Sequence, residues 1–119
     1  MKSQEKGVLL RIFIGEDDED AETGRPLYET IVRKAFEMHL AGATVLRGPM
    51  GYGKHSRVRA AKILILSTDL PIVIEIVDSE EKIDSFLPVV DELVKEGLVT
   101  MEAVRVVKYV AEDAGAPKG

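Results

Sequence analysis

The chain has 119 residues, enough for one domain with a real core and too few for two. Hydrophobic residues make up 45% and charged residues 31%, the balance of a globular chain and not of a disordered one. Against 21 Asp and Glu stand 16 Lys and Arg, a net charge of −5, which argues against a general nucleic-acid binder; the lack of cysteine excludes disulfides, thiolate zinc sites, iron–sulfur clusters and thiol nucleophiles.

The first six residues, Met1 to Lys6, are polar and lack the apolar core of a signal peptide. No apolar run approaches the roughly 20 residues of a membrane span. A cytoplasmic protein with no membrane insertion is the expectation. The chain has no Asn and a single Gln, Gln4, while Glu and Lys are abundant, a balance that resembles thermophile composition.

Val8 to Ile14 is a compact run of β-branched, aliphatic and aromatic residues and predicts a first strand ending at Gly15. Glu16 to Glu22 is almost wholly acidic, so it reads as a solvated loop. It is not an EF-hand: a loop starting at Asp17 would need Gly where Glu22 stands and Glu where Tyr28 stands. Pro26 suits a first helical turn, and Leu27, Ile31, Ala35 and Met38, with Tyr28, Val32, Phe36 and Leu40, recur at helical spacing. The first helix is expected over about 26–41, with Gly42 as its stop.

Thr44 to Leu46 resumes strand character. The glycine-rich, partly basic stretch from Arg47 to Lys54 is a loop, and the ambiguous Ser56 to Ala61 is read with it. Lys62 to Leu66 and Pro71 to Val77 read as two strands joined by a hairpin over Ser67 to Leu70. Asp78 with Glu81 fits a capping box. Ile83, Phe86, Leu87, Val90, Leu93 and Val94 form the apolar face of a second helix, ending at Gly97, with Pro88 expected to kink it. Val104 to Val110 is expected as the last strand.

The order is βαβ-βαβ, and the two halves repeat in plan. Right-handed crossovers make this an α+β, ferredoxin-like split βαβ fold, with a mainly antiparallel sheet and both helices on one face. Ile72, Ile74 and Ile76 point one way along their strand; Val73, Glu75 and Val77 point the other. Two helices cover one face only, so the second apolar face is expected to meet another subunit, or else a fold of the ambiguous segment. The whole chain, 1–119, is one domain with a core over about 8–110, a mobile loop over about 48–61 and a frayed tail over 112–119.

Gly48 to Lys54 matches G-x-x-x-x-G-K, the start of a P-loop. His55 then stands where a P-loop needs Ser or Thr for its metal, and the sheet order is wrong for a parallel nucleotidase. A loop that grips an anion without hydrolysing it is a second reading, because glycines let backbone N–H groups approach phosphate. Arg47, Lys54, Arg57 and Arg59 concentrate positive charge there. A plain surface loop with solvated basic residues is a third reading.

Gly42-Ala43-Thr44-Val45, then Gly51-Tyr52-Gly53, Leu70-Pro71 and Glu75-Ile76-Val77 before an acidic helix start resemble the PII signal-transduction family in motif and order. Within it, the chain looks most like the PII-like branch known as a domain of unknown function. The likeness covers about residues 8–110. It implies a homotrimer with adenine nucleotide, ADP or ATP with or without Mg, bound in clefts between subunits. It implies that 48–61 corresponds to the T-loop, through which a protein partner is engaged. Thr44 would then sit near the adenine or ribose, Gly48, Gly51 and Gly53 near phosphate, and Arg47 and Lys54 would supply positive charge, with Glu75 on the strand lining the pocket. Met50, Tyr52, His55, Arg57 and Arg59 would face the partner. Where the family carries a second phosphate loop, Gly97 to Glu102 has one glycine and no lysine.

His39 and His55 lie far apart in sequence and make no metal signature, and no complete catalytic constellation is readable. The leading reading is a regulatory binding protein and not an enzyme. The alternatives are a small phosphohydrolase using Lys54, and a structural trimer like the copper-tolerance CutA family, which shares the fold.

Overall fold

A computed structural model describes residues 5–52, 59–60 and 70–110. The elements run β1 (Lys6–Gly15), α1 (Leu27–Glu37), β2 (Thr44–Arg47), β3 (Met50–Gly51), β4 (Arg59–Ala60), β5 (Pro71–Asp78), α2 (Glu80–Leu93) and β6 (Leu98–Arg105). The main sheet has the order β2-β5-β1-β6, and every neighbouring pair is antiparallel. This is the ferredoxin-like split βαβ arrangement expected from the sequence. The expected strand over 62–66 lies outside the described residues.

Alternation along the two central strands builds the core. Leu10, Ile12 and Ile14 of β1 and Ile72, Ile74 and Ile76 of β5 are all buried. The register pairs them as Leu10↔Ile76, Ile12↔Ile74 and Ile14↔Ile72. Leu27, Ile31 and Ala35 of α1 and Ile83, Phe86 and Val90 of α2 complete one cluster with them. Each such large side chain withdrawn from water contributes about 1.5–3 kcal/mol.

Both helices end earlier than the pattern suggested. Pro26 is the N-cap of α1, at φ −53 and ψ 130, and not its first helical residue. At the other end Gly42 is not the stop. His39 takes a left-handed φ of 61, Leu40 N–H donates to Ala35 O at 3.0 Å and His39 N–H to Phe36 O at 3.1 Å. That is a Schellman closure made without glycine. It tolerates His39 because the turn satisfies two terminal carbonyls and buries Leu40.

Helix α2 is capped by Ser79, whose Oγ accepts the Lys82 N–H at 3.2 Å. Asp78, one residue earlier, does something else, described below. The helix passes through the exposed Pro88 and stops at Leu93, short of Gly97.

The last strand is also displaced. It occupies Leu98–Arg105, not 104–110, so Leu98 to Glu102 of the stretch compared with a second phosphate loop lie in strand β6. Its run of Leu98, Val99, Thr100 and Met101 carries the β propensity. Gly97 makes the entry possible: its φ is 150, and a Cβ there would lie 2.6 Å from Phe13 O.

The acidic loop is only partly solvated. Asp20 is buried, and its carboxylate accepts from Glu22 N–H, Thr23 Oγ1 and Thr30 Oγ1 at 3.0, 3.0 and 3.2 Å. The segment after β1 is thereby tied to α1. The 59–60 segment, grouped with the loop in the sequence, is a short strand pairing Met50↔Ala60 and Gly51↔Arg59.

Candidate functional site

The sheet face away from the helices carries Leu9, Arg11 and Phe13 from β1 and Val73, Glu75 and Val77 from β5. Thr44 and Leu46 join them from β2, and Leu98, Thr100 and Glu102 from β6, as the registers require. Leu46 and Leu98 are exposed. In the middle of this apolar field lies an ion-pair bridge. Arg11 Nε donates to Glu75 Oε2 at 2.9 Å, and Arg11 Nη1 donates to Glu102 Oε1 at 2.7 Å. The hydrogen bond to Glu75, with Glu102 adding its charge, raises the Arg11 pKa above its ordinary value.

At the β2 side of this face opens a pocket of about 460 Å³. Its floor is Leu9 and Val77, one wall is Ala41, Gly42 and Ala43, and the other is Val106, Lys108 and Tyr109. Thr44 and Glu75 supply polar groups at its edge, and they are direct partners in the β2–β5 register. An apolar floor with a few convergent polar groups is the usual make-up of a small-ligand site.

The Ala41 wall is held from several sides. Its N–H donates to Asp78 Oδ2 at 2.8 Å, and its carbonyl accepts from Tyr109 Oη at 3.4 Å. Lys82 Nζ donates to Met38 O at 3.1 Å just before it.

The structure brings together Thr44 and Glu75 of the residues expected at a nucleotide site. It does not bring Arg47 to them. Arg47 pairs with Ile72, on the helix side of the sheet, and its guanidinium bonds the Glu16 carboxylate. Gly48 N–H is taken by Pro71 O at 2.8 Å, and a Cβ on Gly48 or Gly51 would meet Pro71 Cγ at 2.8 or 3.0 Å. Gly53, Lys54, His55, Arg57 and the Arg59 side chain lie outside the described residues. Met50 and Tyr52 are exposed.

Sequence reasoning missed Lys108 and Tyr109. They fell inside an expected strand, whereas the chain leaves the ladder after Val106 N–H donates to Glu5 O at 2.8 Å. It missed Arg11 because a charge inside an apolar strand run gives no sign of its cross-strand partners. Val77 was legible, since it shares the face of Glu75. Among the described residues no group of three or more His, Asp or Glu is placed to hold a metal ion. No helix among them is long and apolar enough to cross a membrane.

Comparison with known proteins extends this picture. The family model DUF190 (Uncharacterized ACR, COG1993) matches residues 7–106. A UPF0166 protein of Aquifex aeolicus (strain VF5) is 44% identical over 105 residues, covering 86% of this chain and 94% of that protein. UPF0166 protein MJ1524 of Methanocaldococcus jannaschii is 36% identical over 104 residues, covering 87% and 94%.

Among solved structures, CPII is a nitrogen regulatory PII-like protein from Thiomonas intermedia K12. Bound to ADP, AMP and bicarbonate, it matches with a TM-score of 0.55 at 19% identity, over 87% of this chain and 90% of that one. Bound to ADP, AMP and acetate, it gives 0.51 at 19%, over 86% and 89%. That likeness is one of fold and agrees with the PII-like architecture read from the sequence. The family model and the two UPF0166 relatives go further, and the chain belongs to the DUF190 (UPF0166) family.

Proposed function

We propose that the protein is a PII-like regulatory binding protein that takes an adenine nucleotide in the pocket beside Thr44 and Glu75 and is not an enzyme. The observation that carries this reading is the pairing of Thr44 with Glu75 at the edge of an apolar-floored pocket. Leu9 and Val77 offer a surface for the face of a base, Thr44 and Glu75 offer hydrogen bonds, and Lys108 offers a cation for phosphate. Solved CPII structures of the same fold hold ADP and AMP, which supports the choice of ligand.

In this reading the open sheet face packs against two further copies, so that the pocket lies in a cleft of a homotrimer. Exposed Leu46 and Leu98 are the apolar groups such packing would cover. Mg accompanies the phosphates of a bound ADP or ATP. The β3–β4 ribbon anchors the loop over 48–61, which meets an unidentified protein partner. Signalling is then a population shift, driven by different affinity of the nucleotide for two loop states.

The test is a thermal-shift and calorimetric panel of ATP, ADP, AMP and cyclic nucleotides on the full chain, with and without Mg. A native-state ligand at 100 times its dissociation constant adds about 2.7 kcal/mol, which raises the midpoint by several degrees for a chain of this size. No shift at millimolar nucleotide would overturn the reading. Hydrogen exchange in the 48–61 loop that is indifferent to nucleotide would remove its regulatory half.

A further inference from the structure

Arg11 is not among the residues that line the pocket, yet it holds one that is. It faces Glu75 directly across the β1–β5 ladder. On its other side the directly opposed β6 residue is Thr100, and Glu102 is the diagonal neighbour, within reach of a long side chain. The guanidinium uses two different nitrogens, Nε for Glu75 at 2.9 Å and Nη1 for Glu102 at 2.7 Å. The fork is therefore pinned between two strands and cannot rotate without breaking one bond. A point charge on a flexible stem, as in lysine, would not be fixed in the same way.

We infer that Arg11 is a positioning residue, which clamps the Glu75 carboxylate so that it offers the pocket an acceptor of fixed direction and makes the site discriminate between ligands. The inference rests on the nucleotide reading above and names what makes that site selective. Glu75 Oε2 is engaged by Arg11 while the same side chain edges the pocket. A fixed acceptor rewards a ligand that presents an N–H or O–H to it. It rejects an analogue lacking that donor, because the carboxylate is then left with poorer partners. A free carboxylate on a half-exposed side chain would swing toward water and lose that discrimination. Glu102 contributes indirectly, by holding the guanidinium from the β6 side.

The test is calorimetric titration of the full chain with ADP, purine riboside diphosphate and 2′-deoxyadenosine diphosphate. The second lacks the base amine and the third lacks a ribose hydroxyl, so they separate the two donors Glu75 can accept. The wild type is expected to bind ADP and to lose about tenfold or more toward one analogue, the scale of a hydrogen bond to a charged group. Arg11→Gln is expected to keep the secondary structure and oligomeric state and to shrink that ratio to within about threefold. Arg11→Lys should restore part of it, and Glu102→Gln should erode it less than Arg11→Gln.

Equal affinity of the wild type for all three ligands would overturn the inference. So would an unchanged ratio in Arg11→Gln with ADP binding intact, and that outcome would leave the nucleotide reading standing. A wild type that binds no nucleotide would bring down both. If Arg11→Gln does not fold, Arg11→Lys decides, and a ratio equal to that of the wild type there would sink the clamp.

Discussion

Asp78 and Ala41 join the end of β5 to the wall of the pocket: the Ala41 N–H donates to Asp78 Oδ2 at 2.8 Å. The other oxygen, Oδ1, accepts the N–H of Ser79, the residue that caps α2, at 2.7 Å. Asp78 is 4% exposed, so both bonds are made where water competes poorly. One carboxylate thus fixes a helix start and a pocket-lining turn together. Asp78→Ala is expected to cost about 2 kcal/mol, since it strands a backbone donor in a shielded site. Asp78→Asn should cost less, because the amide oxygen still accepts one N–H. Urea unfolding at constant m-value measures both, and equal stability of Asp78→Ala and the wild type would refute this account.

Asp20 gives the fold an acid-sensitive tie. The Glu22 N–H lowers its pKa most, burial opposes that, and the hydroxyls of Thr23 and Thr30 lower it further, so the carboxyl sits below its ordinary value of 3.8. A depressed carboxyl stabilises the fold fully above its unfolded pKa, and that contribution is lost as pH falls through the folded pKa. The wild type should therefore lose melting temperature faster below about pH 4 than Asp20→Asn does. At neutral pH Asp20→Asn should already be the less stable protein. Parallel melting curves between pH 2.5 and pH 7 would show that the loop bonds carry no linked proton.

Two glycine positions test close packing. At Gly97 the φ of 150 and the 2.6 Å approach to Phe13 O exclude a side chain. Gly97→Ala should destabilise by about 2–3 kcal/mol. At Gly48 the obstacle is a ring, Pro71 Cγ, 2.8 Å from the added Cβ. Gly48→Ala should therefore be destabilising alone and milder in combination with Pro71→Ala. Strict additivity of the two in a double-mutant cycle would place the strain elsewhere.

The sequence exposed the fold well where period and burial coincide. The alternation through Leu10, Ile12 and Ile14 and through Ile72, Ile74 and Ile76 sets the central strands, and the helical stripes set what covers them. It failed where a local signal has a competitor. Gly42 looked like a helix stop, but the Schellman closure forms at His39 because Leu40 has a core to enter. Gly97 to Glu102 lines up with a ligand loop in sequence, though its apolar residues complete a ladder with β1. Of the pocket lining, Thr44 and Glu75 are the residues to which the resemblance pointed. The clamp by Arg11 and the wall of Lys108 and Tyr109 were not legible, because cross-strand partners and a returning chain end have no spacing in one dimension.

Arg47 and Thr44 separate two places where an anion or a nucleotide would sit. They are three residues apart on one short strand and so point to opposite faces. Thr44 edges the pocket. Arg47 is on the helix side, paired with Glu16, and its side chain remains 56% exposed. Such a pair contributes about 0–1 kcal/mol to stability and is screened by salt. Arg47→Ala is thus expected to leave nucleotide affinity within about twofold. Thr44→Val should weaken it about three- to tenfold, the worth of one neutral hydrogen bond. Titration of both variants with ADP decides the matter. If Arg47→Ala abolished binding and Thr44→Val left it unchanged, the ligand would lie at the base of the glycine loop beside Pro71, and the pocket under Glu75 would have to serve another purpose.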